Sequence, residues 1–145
     1  VGKVYREMVS STDVFPTLVA GAGLRMPKGQ PTDGVDLLPF INGKNSSQPH
    51  EWLCWQNRSW LPRKKGSYVV PTPKVHNSAI RKGNWKLVRM NEKIGSDASP
   101  PAWELYDLKK DIGEQNDLAK EHGDVVKELG AHFDKWRSSM HPTVE

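Results

Sequence analysis

The sequence predicts an α+β fold: a small four-stranded antiparallel sheet packed by a C-terminal amphipathic helix, preceded by an N-terminal helix and a Pro/Gly-rich connector. Three observations predict it. Two strand-like runs, Ser78–Lys82 and Trp85–Met90, flank the two-residue turn Gly83-Asn84, whose leading glycine suits a type II′ hairpin. From about Asp124 the apolar residues Val125, Val126, Leu129, Phe133, Trp136 and Met140 recur at helical spacing, so one stripe must be buried against a neighbouring layer. A second helical pattern near the start is set apart by Met26-Pro27-Lys28-Gly29-Gln30-Pro31.

The elements follow in chain order. Ser10-Ser11-Thr12-Asp13 supplies N-cap groups, and Pro16 falls within a first helical turn. Val14, Phe15, Leu18, Val19 and Ala22 then form an apolar stripe, ended by Gly21 and Gly23. After the connector, Asp33-Gly34 is a turn, and Val35 to Ile41 is a short apolar element closed by Asn42-Gly43. Glu51-Trp52-Leu53-Cys54-Trp55-Gln56 reads as the first strand. Residues 57–76, polar, basic and carrying Pro62, Pro71 and Pro73, read as a long loop; a loop of that length within a compact domain usually serves function. Alternation in the hairpin puts Trp85, Leu87 and Arg89 on one face and Lys86, Val88 and Met90 on the other. A loop holding Ser99-Pro100-Pro101 leads to the fourth strand, Trp103 to Asp107, and a turn-like stretch, Leu108 to Leu118, leads to the closing helix.

Composition sets the outer limits. The chain has 145 residues, 36% hydrophobic, with 12 Gly, 11 Pro and 6 Trp, and a mean hydropathy of -0.68. That balance describes an ordered, loop-rich chain with room for one core. Cys54 is the single cysteine, which excludes an intrachain disulfide and a Cys-rich zinc site. No apolar run approaches the ~20 residues that span a bilayer, so no membrane partner is expected. The start, Val1-Gly2-Lys3-Val4-Tyr5-Arg6-Glu7, has no initiator Met and no apolar leader, and reads as a chain cut from something longer.

Net charge is +4, unevenly spread. Residues 51–90 hold nine Lys and Arg against one Glu, whereas 91–145 hold seven against twelve acids. A basic middle beside an acidic end fits a surface that meets an anion: phosphate, sulfate or nucleic acid.

Catalytic chemistry is scarce. His50, His76, His122, His132 and His141 show no H-x-x-x-H or H-E-x-x-H spacing, so no metal site is expected from them; His122 and His132 are expected at the surface. Cys54 sits where alternation makes it a packed thiol. Gly21 and Gly23 end a helix and do not open one, so there is no phosphate-cradling loop. Asp107, Asp111, Glu114 and Asp117 follow no cation-binding loop pattern. Asn45-Ser46-Ser47 and Asn57-Arg58-Ser59 match the short N-glycosylation sequon. No catalytic or metal-ligating residue is expected in this chain.

Four phrases in fixed order carry more. Thr12-Asp13-Val14-Phe15-Pro16-Thr17-Leu18 through Gly23 resembles the late "D-hydrophobic-x-P-T" helix of the sulfatases of the arylsulfatase and glycosaminoglycan-sulfatase type. Asp33-Gly34-Val35-Asp36-Leu37-Leu38-Pro39 is similar to that family's "D-G-V-S/D-L-L-P". Ala79-Ile80-Arg81-Lys82-Gly83-Asn84-Trp85-Lys86-Leu87 is similar to its "A-V-R-x-G-D-W-K-L" hairpin. Glu104-Leu105-Tyr106-Asp107-Leu108, with Asp111, Glu114, Asn116, Leu118 and Ala119, resembles its "E-L-Y-D-L-x-x-D-P-x-E-x-x-N-L-A" ending.

The resemblance, from about Ser10 to Arg137, implies a C-terminal portion of a sulfatase. Residues 1–43 would be the tail of the large α/β catalytic domain and residues 44–145 the C-terminal subdomain. The formylglycine nucleophile, made within C/S-x-P-x-R, and a Ca²⁺ or Mg²⁺ ion would belong to that missing catalytic domain, the main partner. Cys54-Trp55-Gln56-Asn57-Arg58 is the nearest imitation, with Gln56 where the motif wants Pro or Ala. The subdomain would wall the active-site cleft and help select the organic part of an aryl sulfate or sulfated carbohydrate. Many relatives carry "W-E-H" after the first strand; Trp55-Gln56-Asn57 takes that place here. Substrate contacts are therefore expected from Asn57, Arg58, Trp60, His76 and Arg81, with Trp60 as the sugar platform and Trp85 and Trp103 in the core. The resemblance implies a periplasmic, secreted or lysosomal home. An uncovered apolar helix at 11–22 would favour a homo-oligomer in isolation. A stand-alone polyanion- or carbohydrate-binding module and a nucleic-acid-binding domain are the alternatives, and neither explains the helix at 11–22.

Overall fold

The computed structural model describes residues 2, 4–29, 32–65, 68–93 and 99–140, with 58–65 and 68–75 described through their backbone alone. The chain divides into two compact units, Val1–Glu51 and Trp52–Glu145.

In the first unit a 3-10 turn, Ser11–Asp13, runs into α1 (Val14–Gly21), and α2 (Leu38–Ile41) follows the connector. Asp13 is completely buried, and its carboxylate joins three distant segments. One oxygen accepts the Ser10 backbone N–H at 2.7 Å, while Ser10 caps the turn in return, a reciprocal capping box. The other oxygen accepts the Val35 N–H at 2.9 Å, and His50 Nε2 lies 2.9 Å from both. Thr17 repeats the device one turn on: its hydroxyl accepts the Leu37 N–H at 3.0 Å and donates to the Val35 carbonyl at 3.4 Å. Gly34 is required for the close approach, because a Cβ there would stand 2.0 Å from the Thr12 carbonyl oxygen. Val14, Phe15 and Leu18 on α1 are each more than half exposed.

The second unit is a meander in the order β1-β2-β3-β4, every neighbour antiparallel. The strands are β1 (Trp52–Lys65), β2 (Tyr68–Lys82), β3 (Trp85–Lys93) and β4 (Glu104–Asp107), and α3 (Gly123–Met140) closes the chain. One cross-strand row, Cys54–Ile80–Leu87–Leu105, traverses all four strands. Ile80, Leu87 and Leu105 pack there against Leu129 and Phe133 of α3, all at most 1% exposed. Each such side chain contributes about 1.5–3 kcal/mol. Trp85 and Trp103 pack on this cluster, Trp103 meeting the Phe133 ring edge-on at 5.4 Å. Both therefore serve the core, as their sequence context implies.

The hairpin turn has Gly83 at φ +56, the left-handed geometry its leading glycine supplies. After β4, Asp117 accepts the Leu105 and Ala119 N–H groups, both at 2.9 Å. The Asp111 carboxylate accepts the Gln115 and Asn116 N–H groups, both at 2.8 Å. The α+β prediction and the order of its elements stand.

One expectation is corrected: residues 57–76 are not a loop. β1 and β2 stay paired across nearly the whole stretch, with one register shift between Ser59 and Trp60, to Lys65↔Tyr68. Proline and charge mimicked a loop signal, but Val69, Val70, Val75, Trp60 and Tyr68 are strand formers, and proline is admissible where strands lack a further neighbour. The first helix is shorter than the expected 11–22: α1 runs from Val14 to Gly21, behind the 3-10 turn. His122 and His132 are half-buried, against Trp85 at 4.9 Å and Trp52 at 6.0 Å.

Two glycines should respond oppositely to alanine. At Gly130, inside α3, the new Cβ would meet Trp103 Nε1 at an ordinary 3.5 Å, so Gly130→Ala should stabilise by about 0.5–1 kcal/mol through helix propensity. Gly34→Ala should disrupt the first unit; thermal melts of both variants decide. Burial raises the Asp13 pKa, but the Ser10, Val35 and His50 hydrogen bonds outweigh it and hold the carboxyl below its ordinary value. A depressed folded pKa contributes stability above the unfolded value near ~4 that is lost as pH falls through the folded one. Amide-exchange protection at Val35 should therefore drop below about pH 4, and Asp13→Asn should remove that pH dependence along with most of the protection.

Candidate functional site

α3 covers one face of the sheet, and strand alternation sends a different set of residues to the other. Register places Leu53, Arg81, Lys86 and Tyr106 in one cross-strand row there, and Trp55, Ala79, Val88 and Glu104 in the next. The segment after β4 rises beside this face and closes a cleft of about 350 Å³. Its apolar walls are Trp55, Ala79, Leu108 and Ile112; its charged groups are Arg81, Lys86 and Glu114. Trp55 is 43% and Ile112 81% exposed, which is unusual for side chains of that size in one cleft.

The charges differ in what they leave available. Lys86 Nζ lies 2.5 Å from Glu114 Oε1, a neutralised pair. Arg81 is anchored by its Nε, which donates to the Gly83 carbonyl at 2.9 Å. A guanidinium carries five N–H donors in a planar fork; the Gly83 bond uses one and fixes the stem, so the outer edge can receive an anion. Tyr106 donates its hydroxyl to Glu104 at 2.7 Å, and this bond to a carboxylate, with burial, pushes the phenol up to about 12. It stays protonated at neutral pH.

The sequence-predicted contacts fall at different places. Arg81 lines the cleft, and exposed Asn57 lies on the same sheet face, paired with Asn77. Asn57 lies four steps along β1 from Leu53, the cross-strand partner of Arg81, or about 13 Å of extended strand. His76 pairs with Arg58 in backbone register, and alternation assigns His76 to the helix-covered side with Ser78 and Ile80. The side chains of Arg58 and Trp60 lie outside the described residues. The sequence reading missed Trp55, Lys86 and Ile112. The signal for Trp55 was present: alternation that buries Cys54 must turn its neighbour outward.

The residues present do not fit a formylglycine or its metal. Cys54 packs against the core cluster, and burial pushes its thiol up to about 12, the reverse of an activated nucleophile. Among the described residues no three His, Cys, Asp or Glu side chains gather to hold an ion. The cleft can bind an anionic group through Arg81 and a ring or aliphatic face through Trp55 and Ile112.

Residues 1–139 match the family described as N-sulphoglucosamine sulphohydrolase, C-terminal. The chain belongs to this family. It is 37% identical over 161 residues to the uncharacterized sulfatase YdeN of Escherichia coli (strain K12), covering 95% of this chain and 27% of that protein. It is 27% identical over 132 residues to the N-acetylgalactosamine-6-O-sulfatase of Bacteroides thetaiotaomicron, covering 84% and 22%. The crystal structure of Ps i-CgsB superposes with a TM-score of 0.62 at 23% identity, covering 90% of this chain and 24% of that one, which shows the shared fold. This sulfatase C-terminal chain thus spans about a quarter of the length of the curated relatives it matches. No described helix is long and apolar enough to cross a membrane.

The state of the cysteine can be checked directly. Folded protein at pH 8 should leave the Cys54 thiol unreactive toward a soluble disulfide reagent, whereas protein in denaturant should react fully; prompt labelling of the folded chain would contradict a thiol raised to about 12.

Proposed function

We propose that this chain is the C-terminal part of a sulfuric ester hydrolase, walling one side of the active-site cleft and helping to select the organic part of the ester. The observation that carries the reading is the uncovered sheet face, where an anchored Arg81 and a half-exposed Trp55 share one cleft, in a chain whose family is a sulfatase C-terminal domain. Arg81 would hold an anionic substituent of the substrate and Trp55 would lie against a ring face. Stacking and a charge-assisted hydrogen bond each contribute on the order of 1–3 kcal/mol to such binding. Asn57, farther along the same sheet face, would extend these contacts, whereas His76 falls on the other side of the sheet. A sulfated carbohydrate is the favoured substrate class, in keeping with the relative named for N-acetylgalactosamine 6-sulfate and with the basic stretch 51–90.

The bond-breaking groups, formylglycine and a divalent cation, would come from a separate catalytic portion. There the cation would neutralise sulfate oxygens; no step of the hydrolysis falls to residues of this chain. On this reading residues 1–43 pack as the end of that catalytic portion. The exposed Val14, Phe15 and Leu18 of α1 would be covered by it, and would drive self-association when it is absent.

The isolated chain should release no sulfate from an aryl sulfate at any Ca²⁺ or Mg²⁺ concentration, and metal-dependent turnover would refute the assignment. When the chain is joined to its catalytic portion, Arg81→Ala should lower kcat/KM for a sulfated sugar about tenfold, roughly the 1.4 kcal/mol of one charge-assisted contact. Trp55→Ala should do the same chiefly through KM. An aryl sulfate too small to reach the cleft should be hydrolysed by both variants at the unmodified rate.

A further inference from the structure

Two cations stand side by side in the cleft. Arg81 of β2 and Lys86 of β3 are direct cross-strand partners, and the Cβ atoms of such a pair lie about 4.5–5.5 Å apart. Like charges so placed repel, and the structure treats the two differently. The register partners of Arg81 are Leu53 and Lys86, neither of them an acid. Lys86 receives Glu114, whose Oε1 lies 2.5 Å from its Nζ.

Glu114 reaches that position against its backbone preference. Its φ is +54, in the left-handed region that residues with a Cβ avoid. Among the described residues the other non-glycine with a positive φ is Asn91, a residue type that tolerates this conformation. Glutamate does not share that tolerance, and a glycine at 114 would serve the backbone better. The turn does not depend on the Glu114 carboxylate either. Asp111 accepts the Gln115 and Asn116 N–H groups, and Asp117 accepts those of Leu105 and Ala119. Residues held in sparsely populated backbone regions gather at ligand clamps and switches. What Glu114 supplies at this place is one negative charge, directed at one of two adjacent cations.

That charge alters what the cleft accepts. An anionic group arriving at Arg81 meets a guanidinium edge with no acid across the strand. A second anionic group on the same ligand, within reach of Lys86, meets an ammonium already neutralised and a carboxylate beside it. It gives up water and gains no net attraction. A like charge standing where the wrong ligand would bind is a direct route to specificity.

We propose that Glu114 is a specificity-determining residue: by occupying Lys86 it restricts the cleft to ligands that present a single anionic group beside a ring. This rests on the reading of the cleft as the surface that meets the organic part of the ester, and adds the number of charges which that part carries.

The test measures binding by the full chain, with no turnover required. Naphthalene monosulfonate and the isomeric naphthalene disulfonates, which differ in the spacing of their two charges, are titrated calorimetrically. The proteins are the native chain and the E114Q, E114G, K86Q/E114Q and R81A variants. Glu114→Gln keeps a side-chain oxygen to accept the Lys86 N–H and removes only the charge, so it separates charge from tethering. The native chain should bind every disulfonate no more than about twofold more tightly than the monosulfonate. In E114Q and E114G the preference for at least one disulfonate over the monosulfonate should rise about tenfold or more, as one further charge-assisted contact implies. K86Q/E114Q should return that preference to the native ratio. Thermal melts and near-UV circular dichroism check that each variant keeps its packing. An unchanged ratio in either single Glu114 variant, or a raised ratio that survives the loss of Lys86, would overturn the proposal. R81A tells this failure from failure of the cleft reading. Weaker monosulfonate binding by R81A with an unchanged ratio in E114Q removes the charge filter alone. Native affinity in R81A means that ring and anion bind elsewhere, and both readings fall.

Discussion

An antiparallel sheet with a single covering helix has one dry face, and that asymmetry organises the second unit. The row Cys54–Ile80–Leu87–Leu105 is apolar because Leu129 and Phe133 of α3 must be met by something of similar character. Once those positions are assigned inward, the period of two leaves no freedom for their neighbours: Trp55, Arg81 and Lys86 go outward together. A one-residue slip in β2 would bury Arg81 and expose Ile80, so the same packing that stabilises the core also fixes the composition of the cleft. The composition of the cleft is a consequence of the fold's central contact, with no separate device to position it.

The phrases that reveal the family have a structural explanation of the same local kind. Asp13 and Thr17 of the first phrase hold Val35 and Leu37 of the second through side-chain to backbone bonds, and Gly34 is the residue that lets the two segments touch. In the third phrase Gly83 makes the turn, and the Asn84 carbonyl accepts the Leu108 N–H of the fourth at 2.8 Å. Asp111 and Asp117 of the fourth tie down the chain after β4. These residues satisfy buried or turn-bound backbone groups that have no ladder partner. A carboxylate that caps two or three N–H groups has few chemical substitutes, which accounts for phrases that keep their residues and spacing. Their recognition licenses the fold and the family; it says little about substrate.

How far the sequence could be read follows from this division. The meander, the II′ turn and α3 rest on local signals, alternation around Gly83-Asn84 and a helical repeat from Val125 to Trp136, and the structure has them all. Residues 57–76 were misread because proline and charge are ambiguous: they mark loops, and they also mark ribbon edges that must not aggregate. The cleft was only partly visible. Arg81 could be found within its phrase, but Leu108 and Ile112 reach the cleft through a turn held by Asp107, Asp111 and Asp117, and no periodicity encodes that approach. His50 is a comparable case. Its partner Asp13 lies 37 residues away, and a histidine without local spacing gives a sequence reader nothing to hold.

The distribution of charge completes the argument. A cation within reach of an acid from a neighbouring segment is held by Coulomb attraction and hydrogen bonding, and its contribution to binding any outside anion is correspondingly reduced. Lys82, Lys86 and Arg89 belong to that class. Of the nine Lys and Arg in residues 51–90, these three therefore offer an outside anion less than their number implies. Charge counted along the sequence overstates the electrostatic surface, whereas charge counted after pairing locates it. A fold whose structural phrases are fixed by backbone satisfaction leaves exposed cleft residues such as Trp55 and Ile112 freer to change. Differences in ester preference among chains built on this sheet should accordingly concentrate at the cleft rim, while Asp13, Gly34, Gly83 and Asp117 stay where the backbone needs them.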